Sequence, residues 1–345
     1  MMSDDAEYLP LFDWLRGVLA VVVMLSHDGL LWWADAANFA VQVFFALSGW
    51  LIGGILLRTS RAGLPRFFYN RSVRIWVPYY LAFVALVGAG LLRDEITTEW
   101  SQAVVYKLTF VYNLFGMTRI EEMADLYPLA GTGNHFWSVN AEEQFYLIAP
   151  LFIVVLAATV GRRIAFWAAL ALVAAFTIEY SAILFGVTAA VAAVKYPGWH
   201  RTLVAQVVLV MVALAATAGL IADTHYNATV PFLALPIVLL LARPGPQSAV
   251  GAVVGGMSYP LYLNHWMGVF IANELFQPFD LVDSPPRKVL ASLISLTIAL
   301  LHYRFIDRVL REHRSQWYTA RRGTITTAAA YSIVGAGLVI GLSWN

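Results

Sequence analysis

The sequence predicts an all-α membrane protein, a polytopic bundle of about 10 to 11 transmembrane helices. Of its 345 residues, 60% are hydrophobic and only 12% are charged, whereas a soluble domain usually carries about 25% charged residues. Apolar runs recur along the whole chain, and a membrane span needs roughly 20 such residues. Basic residues are concentrated in alternate connecting segments, which is typical of polytopic membrane proteins.

Eleven apolar runs account for the predicted helices. They lie near residues 11–33, 39–57, 75–92, 137–160, 164–180, 181–194, 202–222, 230–242, 249–272, 287–304 and 324–342. Two of them, 181–194 and 230–242, are short for a span, and 104–116 is either interfacial or re-entrant. The acidic start "MMSDDAEYLP" lacks the basic region of a signal peptide, so we expect the first run to be a retained helix.

The basic residues also predict an orientation. If the N-terminus is cytoplasmic, the inside segments hold sixteen Arg and Lys residues and the outside segments hold five. We therefore expect an integral protein of the cytoplasmic membrane with its N-terminus inside. No linker separates a second domain, so residues 1–345 read as one membrane domain, with residues 305–345 forming a basic cytoplasmic segment and a last span.

Composition and missing motifs exclude several functions. A net charge of +1 gives no support to a nucleic-acid partner. The absence of cysteine excludes disulfides, thiolate metal sites and cysteine nucleophiles. The sequence has no phosphate-binding GxxxxGK[ST] loop, no GxSxG nucleophile turn and no HExxH zinc helix. Zinc binding through the seven scattered histidines stays open, although no motif supports it. We predict no metal.

The first predicted helix contains polar residues that are costly in a membrane. Arg16 and His27 are eleven residues apart, about 20° beyond three full turns, so both project from one face about 16 Å apart. Asp13, Ala20, Val23 and Met24 share that face. This small, apolar face, with a charge at one end and an imidazole at the other, is either the wall of a tunnel, or Arg16 snorkels to the headgroups while His27 lies at the outer interface.

Other polar positions occur further along the chain. Arg71 and Arg74 are neighbours on one helical face, and arginine suits phosphate recognition, although loop topology alone explains basic residues here. The adjacent acids Glu142 and Glu143 enter an apolar run about 100° apart, so we expect only one of them to face the interior. A capped and solvated helix start is the alternative.

A late stripe and the small residues near position 50 have simpler readings. Ser258, Tyr262 and His265 lie at i, i+4 and i+7 of a late span, where a packing histidine is the simple alternative to a functional one. Close helix packing is the simpler role of Ser48, Gly49, Gly53 and Gly54.

Five of these segments, in order, resemble the acyltransferase 3 family of integral membrane O-acyltransferases. They are "LFDWLRGVLAVVVMLSH", "FFALSGWLI", "RSVRIWVPYY", "FWSVNAEEQFYLIAPLF" and "SYPLYLNH". The departures are small: Trp50 and Val139 replace the family's Phe and Leu, and "FIDRVLRE" stands where the family often has Glu-Arg-Pro.

The resemblance implies an enzyme that moves an acyl group, with acetyl expected, from cytoplasmic acyl-CoA to a hydroxyl of a sugar or other glycosylated acceptor. It implies that Arg71 and Arg74 hold the CoA phosphates. It implies that His27 acts as a general base or carries the acyl group itself. Arg16 would bind CoA or stabilise negative charge at the thioester oxygen.

The remaining site predictions are Glu142, which would orient or charge a histidine, and three acceptor-binding residues, Asp13, Tyr262 and His265. We expect acyl-CoA, the acceptor and membrane lipid as partners and no nucleic acid; the sequence does not predict an oligomeric state. Two other functions stay open at this point: a membrane transporter for small molecules or polysaccharide precursors, which would not consume acyl-CoA, and a structural membrane subunit, which would tolerate changes at Arg16 and His27.

Overall fold

A computed structural model describes residues 8–344, and within that range 81% of the chain is helical with no strands. The all-α prediction is confirmed. The acidic residues 1–7, from which we predicted a retained first helix, lie outside the described residues. Thirteen α-helices have ten or more residues: α1 (Pro10–His27), α2 (Ala36–Arg58), α3 (Leu64–Leu91), α4 (Thr98–Leu108), α5 (Phe136–Pro150), α6 (Ile164–Ala175), α7 (Ala182–Lys195), α8 (Leu203–Ile221), α9 (Pro231–Leu241), α10 (Ala249–Phe276), α11 (Pro285–His302), α12 (Arg308–Trp317) and α13 (Ala320–Trp344).

Each predicted apolar run coincides with a helix, but not every helix could cross a membrane alone. Six candidate spans in the described chain have the necessary length and hydropathy: Pro10–His27, Ala36–Arg58, Arg61–Leu91, Leu203–Ile221, Pro285–Trp317 and Ala320–Trp344. The apolar helices α6 and α7 are shorter than 18 residues, as is the segment Tyr226–Leu241 that contains α9. The predicted count of 10 to 11 spans therefore stays a prediction.

The run predicted at 137–160 is not one uniform helix. Its α-helical part, α5, ends at Pro150, and two π-helical segments follow, Leu151–Val155 and Ala157–Gly161. Proline has no N–H and its ring disturbs the preceding turn, so a break in the regular hydrogen-bond pattern at this point has a local cause.

The chain divides into two compact units, each built from two separate stretches. Unit 1 comprises residues 1–58 and 152–262, and unit 2 comprises residues 59–151 and 263–345. The single membrane domain that we expect for residues 1–345 stays a prediction.

In unit 1, close contact between α2 and α7 depends on glycine. A Cβ at Gly49 would overlap the carbonyl oxygen of Ile183, and a Cβ at Gly186 would overlap the carbonyl oxygen of Ala46. At Gly53 a Cβ would lie 3.1 Å from the Ala190 Cβ. Small residues that let two helix backbones touch are typical of membrane helix pairs. The packing role predicted for Gly49 and Gly53 is confirmed.

Unit 1 also holds α1 against the first part of α10. A Cβ at Gly17 would overlap the Val254 side chain, and a Cβ at Gly255 would lie 2.7 Å from the Cβ of Asp13. The buried face of α1 includes Ala20 and Val23, both 0% exposed. The small, apolar face that the sequence predicts between Arg16 and His27 is therefore packed.

Unit 2 is organised around α3, which meets α4, α5, α12 and α13. Tyr79 is fully buried; its hydroxyl donates to the Lys107 carbonyl at 2.8 Å and its ring lies 5.2 Å from that of Phe136. On α13, the Tyr331 hydroxyl donates to the Leu147 carbonyl at 2.8 Å, and a Cβ at Gly323 would meet the backbone of Pro65. These contacts fix α3 and α5 side by side.

Candidate functional site

The polar residues of α1 form a small ionic group at its first turn. Arg16 pairs with Asp13, one helical turn earlier, at 3.7 Å between Nη1 and Oδ1. Asp13 also accepts a hydrogen bond from the Tyr8 hydroxyl. Burial, together with the hydrogen bond to Asp13 and its negative charge, raises the pKa of Tyr8 to about 12, so this phenol stays a donor at neutral pH. Asp13 is therefore a partner that orients Arg16.

His27 is the last residue of α1 and its side chain is exposed. The helix carries Arg16 and His27 eleven residues apart, as the sequence predicts, with Arg16 partly covered and its side chain 23% exposed. The fourth predicted site residue of unit 1, Tyr262, is buried on α10, with its ring 6.4 Å from that of Phe44.

In unit 2, the side chains of α3 and α5 meet along a polar seam, in which the two helices run antiparallel. From the start of α3 onward, Arg71 lies over the Tyr146 ring at 5.9 Å, the Trp76 Nε1 donates to Glu143 Oε1 at 2.9 Å, and Asn140 Nδ2 donates to the Tyr79 hydroxyl at 3.0 Å. We call this line of contacts the α3–α5 seam. These contacts place the polar side chains of unit 2 in a line along the two helices.

The two adjacent acids have different surroundings. Glu143 is only 3% exposed and faces Trp76 on the seam. Glu142 is half-buried and accepts a hydrogen bond from the Tyr146 hydroxyl, next to Arg71. The prediction that only one acid faces the interior is confirmed, and that acid is Glu143. Within unit 2, Glu142 is a neighbour of an arginine; its predicted role toward a histidine stays a prediction.

One end of the seam carries three arginines. Arg71 and Arg74 lie close enough to repel each other, and Arg314 of α12 repels both. Arg314 Nη1 donates to the carbonyl of Asn70, the residue just before Arg71, at 3.4 Å. We call Arg71, Arg74 and Arg314 the arginine cluster. The sequence predicted the first two as neighbours; Arg314 was missed, because 244 residues separate it from Asn70.

The other end of the seam carries two histidines. His135 directly precedes α5, and its ring lies 4.6 Å from that of His265. Its Nε2 lies 3.3 Å from the Leu263 carbonyl oxygen, and both imidazoles are buried. The Ser295 hydroxyl donates to the backbone carbonyl of His265 at 2.9 Å. We call His135 and His265 the histidine pair. His135 is not among the residues predicted from the sequence, because its contacts with His265 and Leu263 are long-range.

A further cation is buried away from the seam's surface. Lys107 of α4 is 0% exposed, its Nζ has no hydrogen-bond partner among the described residues, and the Tyr112 ring centroid lies 3.7 Å from it. The Tyr127 ring is 5.7 Å away. Burial lowers the pKa of Lys107 to about 7. Nothing in the sequence around Lys107 signalled this, since α4 has no neighbouring acid at helical spacing.

The predicted residues divide between the two units according to their positions in the chain. Unit 1 holds Asp13, Arg16, His27 and Tyr262, of which Asp13 and Arg16 are in contact. Unit 2 holds Arg71, Arg74, Glu142 and His265, of which the first three lie together. Guanidinium groups hold phosphate and carboxylate groups by charge-assisted hydrogen bonds, and imidazoles accept and release protons near neutral pH.

The chain is similar to a set of bacterial membrane enzymes. The sequence profile of a family described as "Acyltransferase domain" matches residues 10–304. The "Putative membrane-bound transacylase BcsY" of Komagataeibacter xylinus is 27% identical over 357 residues, which covers 95% of this chain and 89% of that protein. No solved structure matches the chain significantly.

Two shorter matches carry more specific names. The "Peptidoglycan O-acetyltransferase OatA" of Listeria monocytogenes is 30% identical over 155 residues, which is 43% of this chain and 25% of that protein. The "Putative O-acetyltransferase SACOL0978" of Staphylococcus aureus is 26% identical over 166 residues, 46% of this chain and 26% of that protein. The chain therefore spans about a quarter of the length of each of these two relatives.

Proposed function

The chain belongs to the acyltransferase 3 family, and from that premise we propose that it is an acyl-CoA-dependent O-acyltransferase of the bacterial cytoplasmic membrane. It moves an acetyl group from cytoplasmic acyl-CoA to a hydroxyl group of a carbohydrate or glycosylated acceptor. Relatives named as O-acetyltransferases support the oxygen acceptor and the acetyl group.

The observation that carries the proposal is the pair of mutually repelling guanidinium groups on α3. Neither Arg71 nor Arg74 forms an ion pair with a carboxylate among the described residues, although Glu142 and Glu143 are close enough to attract Arg71. Glu142 accepts a hydrogen bond from Tyr146, and Glu143 accepts one from Trp76. An anion that binds both guanidinium groups relieves the repulsion between them. The phosphates of CoA supply such an anion, so these two residues hold the donor.

His27 performs the transfer by one of two routes. As a general base it takes the proton of the acceptor hydroxyl, the oxygen attacks the thioester carbonyl, and the C–S bond breaks to release CoA, which takes up the proton as its thiol. As an acyl carrier its unprotonated ring nitrogen attacks the thioester carbonyl, the C–S bond breaks, and CoA leaves as its thiol with the proton of the other ring nitrogen. The acceptor oxygen then attacks the acyl-imidazole, the C–N bond breaks, and the hydroxyl proton returns to the imidazole. In either route Arg16, held by Asp13, stabilises negative charge at the carbonyl oxygen.

The acceptor residues complete the proposal. His265 and Tyr262 line the path of the acceptor hydroxyl, and Asp13 acts there through Arg16. No metal takes part, and the donor acyl-CoA is a co-substrate.

Transfer itself is tested with membrane vesicles that contain the protein and [1-¹⁴C]acetyl-CoA. We expect label in the glycan fraction with the wild type and none with His27→Gln, while both proteins insert and run alike in size-exclusion chromatography. Near wild-type labelling by His27→Gln would contradict the assignment. Solute uptake without CoA release would instead indicate the transporter.

Isotope exchange separates the two routes without any acceptor. If His27 carries the acyl group, purified protein should move radiolabel from free CoA into acetyl-CoA, because the first step is reversible. If His27 acts only as a base, no exchange occurs until an acceptor is added.

Topology belongs to the same proposal, with 10 to 11 spans and a cytoplasmic N-terminus. Because the chain contains no cysteine, single cysteines can report on each side without background. Ser60→Cys should react with a membrane-impermeant maleimide only in inverted vesicles, and Glu95→Cys only in right-side-out vesicles. The reverse pattern would invert the orientation.

A further inference from the structure

The three arginines of α12 have different surroundings. Arg308 pairs with Glu312 at 2.7 Å and Arg311 pairs with Asp307 at 3.1 Å, so both charges are balanced locally. Arg314 forms no ion pair with a carboxylate in the part of the chain that the structure describes. It is half-buried, donates to the Asn70 carbonyl and repels Arg74. A cation at the membrane surface that only anchors headgroups needs no fixed position beside two other cations.

The seam gives this cluster a direction. Tyr146, beside Arg71, and His135, in the histidine pair, are eleven residues apart along α5, a separation of about 16 Å. Arg314 Nη1 donates to the Asn70 carbonyl, so Arg314 lies at the arginine end of the seam. A long donor aligned with the seam, with its thioester toward the imidazoles, has its nucleotide at the arginine cluster. Arg314 is then the third arginine available to that nucleotide.

We propose that Arg314 binds the 3′-phosphate of the CoA nucleotide and makes the enzyme specific for 3′-phosphorylated donors, while Arg71 and Arg74 hold the diphosphate. This inference rests on the proposed function. The 3′-phosphate is a compact dianion at the end of the molecule opposite the thioester, and a guanidinium fork matches its oxygens. An anionic lipid headgroup offers the same phosphate chemistry, so the test distinguishes the two sources.

The experiment compares two probes, CoA and 3′-dephospho-CoA, by isothermal titration calorimetry of the purified protein in vesicles of phosphatidylcholine. A charge-assisted hydrogen bond contributes about 1.5–3 kcal/mol, or about tenfold to hundredfold in Kd. We therefore expect the wild type to bind CoA at least about tenfold more tightly than 3′-dephospho-CoA. In Arg314→Gln this discrimination should fall to near one, because CoA binding weakens and 3′-dephospho-CoA binding does not.

Two further variants separate recognition from folding. Arg314→Lys keeps the charge but not the fork, so it should recover part of the discrimination. Arg308→Gln, on the same helix but paired with Glu312, should bind both probes as the wild type does. Equal weakening of both probes by Arg314→Gln, or full discrimination in that variant, would overturn the inference.

The lipid arm repeats the titrations in vesicles that also contain phosphatidylglycerol. If Arg314 held a headgroup, the effect of Arg314→Gln would appear only there and would be the same for both probes, which contradicts the inference. A wild type that binds neither probe would refute the proposed function itself, whereas binding of both with equal affinity refutes only the role of Arg314.

Discussion

Unit 2 contains two concentrations of positive charge, and their surroundings differ. Lys107 is a single ammonium sealed beneath Tyr112 and Tyr127, with no access for a ligand. The arginine cluster places Arg71 and Arg74 with Arg314, all half-buried and mutually repelling. The comparison teaches that a buried cation enclosed by aromatic rings belongs to the packed interior and offers no binding site, whereas a group of half-buried, mutually repelling cations can bind an anion.

The largest effect is expected when both Arg71 and Arg74 are removed from the arginine cluster. Arg71→Ala with Arg74→Ala should raise the Kd for CoA about hundredfold or more, because two charge-assisted contacts are lost. Protein level and thermal midpoint should change little. Isothermal titration measures the affinity, and the matched control is the exposed Arg321→Gln. An unchanged affinity would assign both arginines to membrane topology.

A second experiment measures how the burial of Lys107 affects the free energy of unfolding. Its pKa is lowered from 10.5 to about 7 in the folded protein, so between these values the unfolded chain binds a proton that the folded chain has released. The free energy of unfolding should therefore rise with pH above about 7, and below that pH the contribution of Lys107 should no longer change. Burial also raises the pKa of both Tyr112 and Tyr127, so the phenols stay neutral from pH 7 to 9.

Lys107→Met is the matching variant, because methionine fills a similar volume without a charge. Its thermal midpoint in detergent should lie above that of the wild type at pH 7, and the rise between pH 7 and 9 should disappear. CoA affinity should stay unchanged. If Lys107→Met instead weakened CoA binding while leaving the pH profile intact, Lys107 would belong with the arginine cluster.

A smaller effect on the thermal midpoint is expected from the aromatic ring that faces Lys107. Tyr112→Leu removes the ring over the Lys107 ammonium, an interaction of about 0.5–2 kcal/mol, and should lower the thermal midpoint by a few degrees. Tyr112→Phe retains the ring but loses the hydroxyl that donates to Asn134. The difference between the two variants, measured at pH 6, where Lys107 is charged, reports the ring alone. Equal midpoints would mean that the ring contributes nothing.

The smallest expected effect is that of salt concentration on CoA affinity. Raising ionic strength screens partly exposed charges, so CoA affinity should fall severalfold as salt increases. The pH dependence assigned to Lys107 should be insensitive to the same change, because a sealed group is screened much less. Parallel titrations and thermal scans across one salt series would show whether the two regions differ in this way.

The sequence predicted the features that depend on local spacing. Apolar runs located the helices because burial in lipid requires continuous hydrophobicity, and the three-residue spacing of Arg71 and Arg74 made them neighbours. The packing role of Gly49 followed from its small size beside a long apolar run. These inferences need only the geometry of one helix.

Long-range contacts escaped prediction. Arg314 reaches Asn70 across 244 residues, and His135 meets a carbonyl 128 residues away. Periodicity around these residues carries no trace of such partners. The choice between Glu142 and Glu143 failed to follow from the sequence for the same reason, since it depends on Trp76 of another helix.

The α3–α5 seam also bears on the length of the donor. Its arginine end and its histidine end lie about 16 Å apart along α5, a distance set by the rise of the helix. The hydrogen bond between Trp76 and Glu143 holds α3 and α5 in register between these two ends. All acyl-CoA donors share the same nucleotide and pantetheine arm, so under the proposed function a donor aligned with the seam would present every thioester at the same position. Discrimination between a short and a long acyl chain then depends on the room beyond the histidine pair, and exchanging residues there should change which acyl group is accepted without changing how tightly CoA is held.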